Sequence, residues 1–482
     1  MSPAPPRLPA LSQWSLRLAV VVSALACAAT LWFALATLAT RPLDGSEGNL
    51  VFDAARIRSG LRLYVDPLVG AWDYGPVPSR YYVLYTPFWS ALVACLPATS
   101  ASVLSRAIAT GAWFGLLAGA ALGARPDHRL AAIAGALFLG GAYPLALFGA
   151  SGRPDALAVL LAGVAMVRIA RRGRVGALEA TLLVLGAFVK PNVFAAGLGA
   201  LGAEAWSRRL KAWPALVAGA ATALTCACAL HLASGGAWLE HLARSTETSM
   251  SIRLWIEQMQ SRAPFFALPL AFAAWCAWRA RAHVTLAALL TSVTWTLVSL
   301  AKIGSASNYW MEPCVAGLAI VAGTGLPRTG RVLRVVAGPL ALAQTLWTGV
   351  AAVRSSWEAV TTAPRRRAAV LAARAACGAS ADDVVIADEP GLEVMIDGRL
   401  IQQPVEVVHL VRLGRYPRAL WQADVERPQV RCLVMQDDLL GRPLDRVDVE
   451  HDLFDPEMRR ALSGRFALAS SQDGVRVYRA VR

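Results

Sequence analysis

Charge is sparse and lopsided in this sequence. Only 16% of its 482 residues are Asp, Glu, Lys or Arg, while 56% are hydrophobic and the mean hydropathy is +0.47, so the chain is read as an integral membrane protein. The formal net charge of +15 does not indicate nucleic acid, because the Lys and Arg residues fall in small clusters at the ends of apolar runs rather than in one patch. Such clusters are topology determinants. Histidine is scarce as well, with six residues and no HxxxH pair, which leaves a zinc site without support. The eight cysteines show no metal-type spacing, and most lie in apolar stretches as small packing residues. There is no internal repeat and no charged path through the middle of the apolar segments, which argues against a transporter or flippase.

Polar chemistry is concentrated in the segment 42–88. It carries Asp44, Glu47, Asp53, Asp66 and Asp73 among Tyr64, Trp72, Tyr74, Tyr81, Tyr82 and Tyr85. The apolar segment 18–40 before it follows Arg7 and Arg17 and is too long for a signal-peptide core. It reads as a retained anchor that places 42–88 on the outer side. Within that loop Leu50, Ala54 and Ile57 recur at helical spacing and Gly60 stops the run, which predicts a short amphipathic helix lying along the membrane surface.

Further spans are expected at 102–123, 130–148, 156–169, 176–189, 193–206, 213–232, 265–278, 284–300, 312–325 and 335–353. The run 83–96 contains Pro87, and treating it as re-entrant or interfacial gives about eleven spans with the basic links on the inner side. Those links hold Arg168, Arg171, Arg172 and Arg174, then Arg208, Arg209 and Lys211, then Arg279 and Arg281, then Arg328, Arg331 and Arg334. Composition changes near residue 363. Residues 363–482 read as a small soluble α/β or β-rich domain on the outer face, with short strands at 384–387, 405–408, 432–435 and 466–478. Cys377 and Cys432 both fall there, as a disulfide or as two buried thiols.

Three outer polar groups carry the candidate chemistry. Glu47, between Gly45 and Gly48, reads either as a general base whose pKa is raised by partial burial or as a solvated loop carboxylate. Ser151-Gly152-Arg153-Pro154-Asp155 places Pro154 and Asp155 at the head of an apolar helix, with Arg153 holding a lipid phosphate or anchoring at the interface. Lys190, beside Pro191 and Asn192, either snorkels or points at the same phosphate. Lys302 to Met311 and Glu312 form the third group, in which Asn308, Tyr309 and Glu312 offer the donors and acceptors a sugar needs. Aromatic belts at the interface account for most of the 16 tryptophans.

Together these features resemble the GT-C membrane glycosyltransferases. They are an outer acidic loop after the first helix, an amphipathic segment ending in Gly, a Tyr- and Pro-rich run into a short apolar helix, a Gly-Arg-Pro-Asp turn, and a Tyr near a late helix start. The chain is most similar to the bacterial family 39 type, related to protein O-mannosyltransferases and to the enzyme that adds aminoarabinose to lipid A. The resemblance covers about 18–353, most strongly as far as Asn192. It implies a polytopic α-helical membrane protein of GT-C type, with 1–362 as the transferase domain and 363–482 as a small periplasmic α/β domain. The implied location is the bacterial cytoplasmic membrane, with the active face on the periplasmic side.

The implied reaction moves a sugar from a polyprenyl-phosphate donor to an acceptor hydroxyl on a glycan, lipid or protein, with inversion and a carboxylate base. Glu47 matches the family's acidic position. Asp44 is the alternate, because the residue before Glu47, often acidic in relatives, is Ser46. A second acidic position matches Asp155. Some relatives hold a divalent metal there, but this chain has no Asp-x-Asp pair, so the expectation is no metal and no cofactor. Donor-phosphate candidates are Arg153, Lys190, Arg80, Arg253 and Lys302, and sugar or acceptor candidates are Tyr82, Tyr85, Asn308, Tyr309 and Glu312. Membrane lipids are expected partners and nucleic acid is not. A ligase or polymerase working on lipid-linked glycans is the runner-up, since it would use the same face and similar groups.

Overall fold

A computed structural model describes residues 10–324, 331–436, 438, 440–443 and 454–481. Arg7 and Arg328, assigned above to the inner side, lie outside the described residues. The first helix, α1 (Ala10–Ala36), leads into the loop expected on the outer side, where α2 (Gly45–Arg58) and α3 (Phe88–Ala94) are the helical pieces. Asp44 caps α2 by accepting from the Glu47 backbone N–H, and Gly60 at φ +68° follows its end. The helix does not lie free on the membrane surface. Leu50, Phe52, Asp53, Ala54 and Arg56 are all buried, because protein covers α2 on more than one side. With seven residues, α3 is too short to cross a bilayer.

The bundle continues with α4 (Ala101–Leu122), α5 (Arg129–Gly141), α6 (Tyr143–Gly149), α7 (Asp155–Arg172), α8 (Ala177–Val189), α9 (Ala195–Arg208), α10 (Trp213–Ser234) and α11 (Ala237–Thr246). After it come α12 (Ile252–Arg279), α13 (His283–Ser299), α14 (Met311–Thr324) and α15 (Arg331–Leu371). Among the described residues three stretches are long and apolar enough to cross a membrane: Trp14–Ala36, Ala98–Leu122 and the 40-residue Ala195–Ser234. Helices stand at the other expected positions, but most are shorter than a full pass. The expected span at 130–148 is broken at Ala142 into α5 and α6, which meet at 77° and together raise the number of candidate spans to four. Pro144 explains the break, since it has no N–H to give the Gly140 carbonyl and instead sits in the first turn of α6.

The stretch Ala195–Ser234 turns back on itself at 209–212, where Arg209 takes φ 48°, and Leu201 Cδ1 comes 3.9 Å from where a Cβ on Gly219 would stand. Two other expected boundaries move. Helix α12 begins well before 265 and runs through Pro264 and Pro269. Helix α15 continues without a break across the expected domain boundary at 362/363.

Past α16 (Ala373–Cys377), the C-terminal domain contains β1 (Val384–Ala387), α17 (Pro390–Asp397), α18 (Pro404–Arg412), α19 (Arg418–Val425), β2 (Val430–Met435), α20 (Pro456–Arg465), β3 (Phe466–Gln472) and β4 (Val475–Ala480). Its sheet has the order β1-β2-β4-β3, with β1 and β2 parallel and the other pairs antiparallel. Asp473 and Gly474, both at positive φ, make the tight turn of the β3–β4 hairpin. The expected strand 405–408 is instead the first part of α18. Pro404 starts that helix, and Val407, Val408 and Leu410 bury at helical spacing. Cys377 and Cys432 are disulfide-bonded, with Cα atoms 5.7 Å apart.

This domain is locked to the 42–88 loop. At the crossing of α2 and α17, a Cβ on Gly48 would stand 2.3 Å from Gly391 Cα, so the two backbones meet only because both residues are glycine. Gln403 then accepts from the Tyr82 N–H at 2.7 Å and donates to Asn49 Oδ1 at 3.0 Å and Tyr82 O at 2.9 Å.

Candidate functional site

Glu47 is neither a solvated carboxylate nor an open base. It is 1% exposed and surrounded by donors: Arg106 Nε at 2.9 Å and Nη2 at 2.6 Å, the Gly152 N–H at 2.6 Å, Arg41 Nη2 at 3.3 Å and the Asp44 N–H at 3.3 Å. Burial alone would raise its pKa. The Arg106 and Arg41 charges and the hydrogen bonds outweigh that and hold the carboxyl well below the usual carboxylate range. Arg106 also donates to the carbonyls of Leu38, Arg41 and Pro42, so Glu47 and Arg106 pin the loop to α4 and to the 151–155 turn. Gly152 permits this approach, since a Cβ there would stand 2.5 Å from Ser105 Oγ.

The result is that Asp44 sits beside Arg153, with Oδ2 3.7 Å from Nη1. Asp44 keeps a side-chain exposure of 45%, and burial pushes its carboxyl upward while Arg153 opposes the shift. Arg153 lies over the Phe148 ring at 4.9 Å, donates to Tyr85 Oη at 3.2 Å and comes within 3.5 Å of Asp155 Oδ2 through Nε. Lys190 pairs with Asp155 Oδ1 and lies 5.5 Å from the Tyr85 ring centroid, while Asn308 Nδ2 donates to the same Asp155 oxygen at 2.8 Å.

Of these groups, Arg153, Tyr85 and Asn308 border a cavity of about 150 Å³. Tyr85, Arg153, Lys302, Asn308 and Tyr309 line it together with Ser46, and Val405 and Glu406 of the C-terminal domain form part of its wall. Burial lowers the Lys302 pKa, against which the nearby Glu406 acts; burial pushes Glu406 itself up to about 7. Three buried polar atoms here have no hydrogen-bond partner: Arg153 Nε, Asp155 Oδ2 and Asn308 Oδ1. Among the described residues no group of three or more His, Cys, Asp and Glu side chains has the arrangement to hold a metal ion.

Four expected site residues lie elsewhere. Arg80 pairs with Asp424 and donates to Pro67 O at 3.0 Å, stitching the 42–88 loop to the C-terminal domain. Tyr82 is packed in the C-terminal domain's apolar core, with His241 edge-on at 5.6 Å. Arg253 is largely exposed and pairs with Glu257 at 3.1 Å, one helical turn away. Glu312 is buried in the bundle, accepting from the Ala196 N–H at 2.9 Å and from Ser292 Oγ at 2.8 Å, so it satisfies the start of α9 rather than an outer ligand.

Sequence reasoning passed over Arg106. Its signal was present, since a lone arginine inside an apolar span requires a buried partner. Glu406 gave no comparable signal, because only the domain packing brings it to the cavity.

The fold is that of a helical membrane protein whose small mixed-sheet domain closes over the 42–88 loop. No protein-family model matches the chain, and no curated protein matches it. Among solved structures it is similar to ArnT from Cupriavidus metallidurans, in the apo state with a TM-score of 0.53 and bound to undecaprenyl phosphate with a TM-score of 0.52. Sequence identity is 13% in both, over 98% of this chain and 99% of the other. The two chains therefore share a fold over nearly their whole length.

Proposed function

We propose that the protein transfers a sugar from a polyprenyl-phosphate donor to an acceptor hydroxyl at the outer membrane face. The observation that carries this reading is the cavity where Arg153, Lys302, Asn308 and Tyr309 meet beside Asp44. The shared fold with a protein solved with undecaprenyl phosphate supports the same kind of donor.

In this reading the Asp44 carboxylate takes the acceptor's hydroxyl proton. The freed oxygen bonds to the anomeric carbon as the bond from that carbon to the phosphate oxygen breaks, and attack opposite the leaving group inverts the centre. Arg153 and Lys302 meet the charge that returns to the departing lipid phosphate. Asp155, neutralised by Lys190, holds Arg153 and Asn308 at the required angle. Glu47 does no proton transfer, and it positions Asp44.

Incubating the purified protein in vesicles with a mixture of lipid-linked sugars tests this. One species should be consumed, with polyprenyl phosphate appearing in equal amount by mass spectrometry. If no lipid-linked sugar is consumed with any glycan, lipid or protein acceptor offered, transferase activity is rejected.

A further inference from the structure

A second concavity lies far from this cavity. Between α9 and α13 runs an open groove of about 710 Å³, lined by Leu198, Gly199, Gly202, Trp206, His283 and Ala287 among others. Its floor is shallow because the helices touch: a Cβ on Gly199 would stand 2.6 Å from Ala287 O. The groove opens at the His283 end of α13, whereas Lys302 follows the other end, so about 25 Å of helix separates its mouth from the cavity.

That mouth is basic and aromatic. Arg209, Lys211, Arg279 and Arg281 are exposed there and have no acidic partner among the described residues. Arg208 is taken by Glu204 at 3.3 Å. Trp206, Trp213 and Trp278 are 89%, 66% and 63% exposed, the arrangement of side chains that sit at headgroup depth. An apolar trough ending in unneutralised cations at that depth matches a chain with an anionic head.

We propose that the α9–α13 groove is a binding site for an anionic glycerophospholipid. One acyl chain lies along Gly199, Gly202 and Ala203, and the headgroup rests on Arg209, Lys211, Arg279 and Arg281. A second copy of the protein in the same membrane orientation is the poorer occupant, because it would bring one basic mouth against another. The site is independent of the sugar-transfer reading.

Native mass spectrometry of the full-length protein, titrated with phosphatidylglycerol or phosphatidylethanolamine, tests the assignment. Each cation near an anionic headgroup contributes enough that phosphatidylglycerol should bind on the order of 10-fold more tightly. The double variant Arg209→Gln/Arg281→Gln should erase the preference. Gly202 has no neighbour within 4 Å of an added Cβ, so Gly202→Phe fills the groove without displacing backbone and should weaken phosphatidylglycerol binding while leaving the thermal midpoint unchanged. Equal affinity for the two lipids, unaltered binding in Gly202→Phe, or a dimer that occludes the groove would each overturn the proposal.

Discussion

Two buried carboxylates near the 42–88 loop have opposite surroundings. Around Glu47 every oxygen is taken, by Arg106, Arg41, the Gly152 N–H and the Asp44 N–H, and only 1% of the residue is exposed. Around Asp155, Oδ1 serves Lys190 and Asn308, yet Oδ2 has no hydrogen bond, and Arg153 Nε and Asn308 Oδ1 are likewise left over at the edge of a cavity. A closed set of ion pairs is architecture, because nothing remains for a ligand to satisfy. An open set carries the desolvation cost of its unmatched atoms, and a ligand bringing matching groups recovers it.

The largest expected effect breaks the closed set. Arg106→Leu takes from buried Glu47 its two-pronged partner and leaves Arg41 at 3.3 Å as its cation, which costs about 3–5 kcal/mol. The thermal midpoint of the detergent-purified protein should fall sharply, and adding Glu47→Gln should restore part of it. A midpoint unmoved by Arg106→Leu would mean that Glu47 does not anchor the loop.

Next in size is the base. Asp44→Asn should reduce transfer by roughly 10²-fold or more, with donor affinity little changed. The pH profile separates the two acids. A base works deprotonated, and Asp44 is shifted upward by burial, so the rate should fall on acidification while pH is still above the usual carboxylate range. Glu47 is held below that range, so a rate governed by it would stay flat to pH values lower than about 4. A flat profile, with Asp44→Asn within a few-fold of the unaltered protein, returns the role to Glu47.

Much of this contrast was legible in the sequence, though not its sense. Patterning located α2, its stop near Gly60, the polar turn at 151–155 and most of the bundle helices, because each depends on local periodicity, caps or proline. Strand β1 and the β3–β4 hairpin were readable for the same reason. What failed depends on tertiary partners. Glu47 looked unshielded between two glycines, but the small residues there admit α17 and the 151–155 turn rather than water. Arg80 and Tyr82 looked like outer-loop ligands and are instead the seam to a domain more than 300 residues further along the chain. Residues 405–408 looked like a strand because valine repeats there, and Pro404 with the domain core made them helical.

Sharpening the open set calls for a smaller change. Arg153→Met keeps an apolar stem over Phe148 and removes the guanidinium, and a charge-assisted contact of this kind contributes about 1.5–3 kcal/mol. Affinity for polyprenyl phosphate lacking a sugar should weaken by about 10- to 100-fold, and Lys302→Met should act in the same direction. Unchanged affinity in both variants would detach the phosphate from this cavity.

The smallest expected effect comes from a cation whose setting is neither closed nor open. Arg253 lies on the exposed side of α12, and its pair with Glu257 spans one helical turn at 3.1 Å with side chains 61% and 43% exposed. Surface pairs at this spacing contribute about 0.3–0.5 kcal/mol, because water and salt screen them and two long side chains lose freedom in meeting. Arg253 does not line the cavity that Arg153 borders. Arg253→Met should therefore change donor affinity by less than about 2-fold at physiological salt. The same titration used for Arg153→Met reads it out, and low salt should enlarge the difference only slightly. A loss approaching that of Arg153→Met would show that enclosure does not decide which cation serves the donor, and that the lipid phosphate reaches the protein along α12 instead.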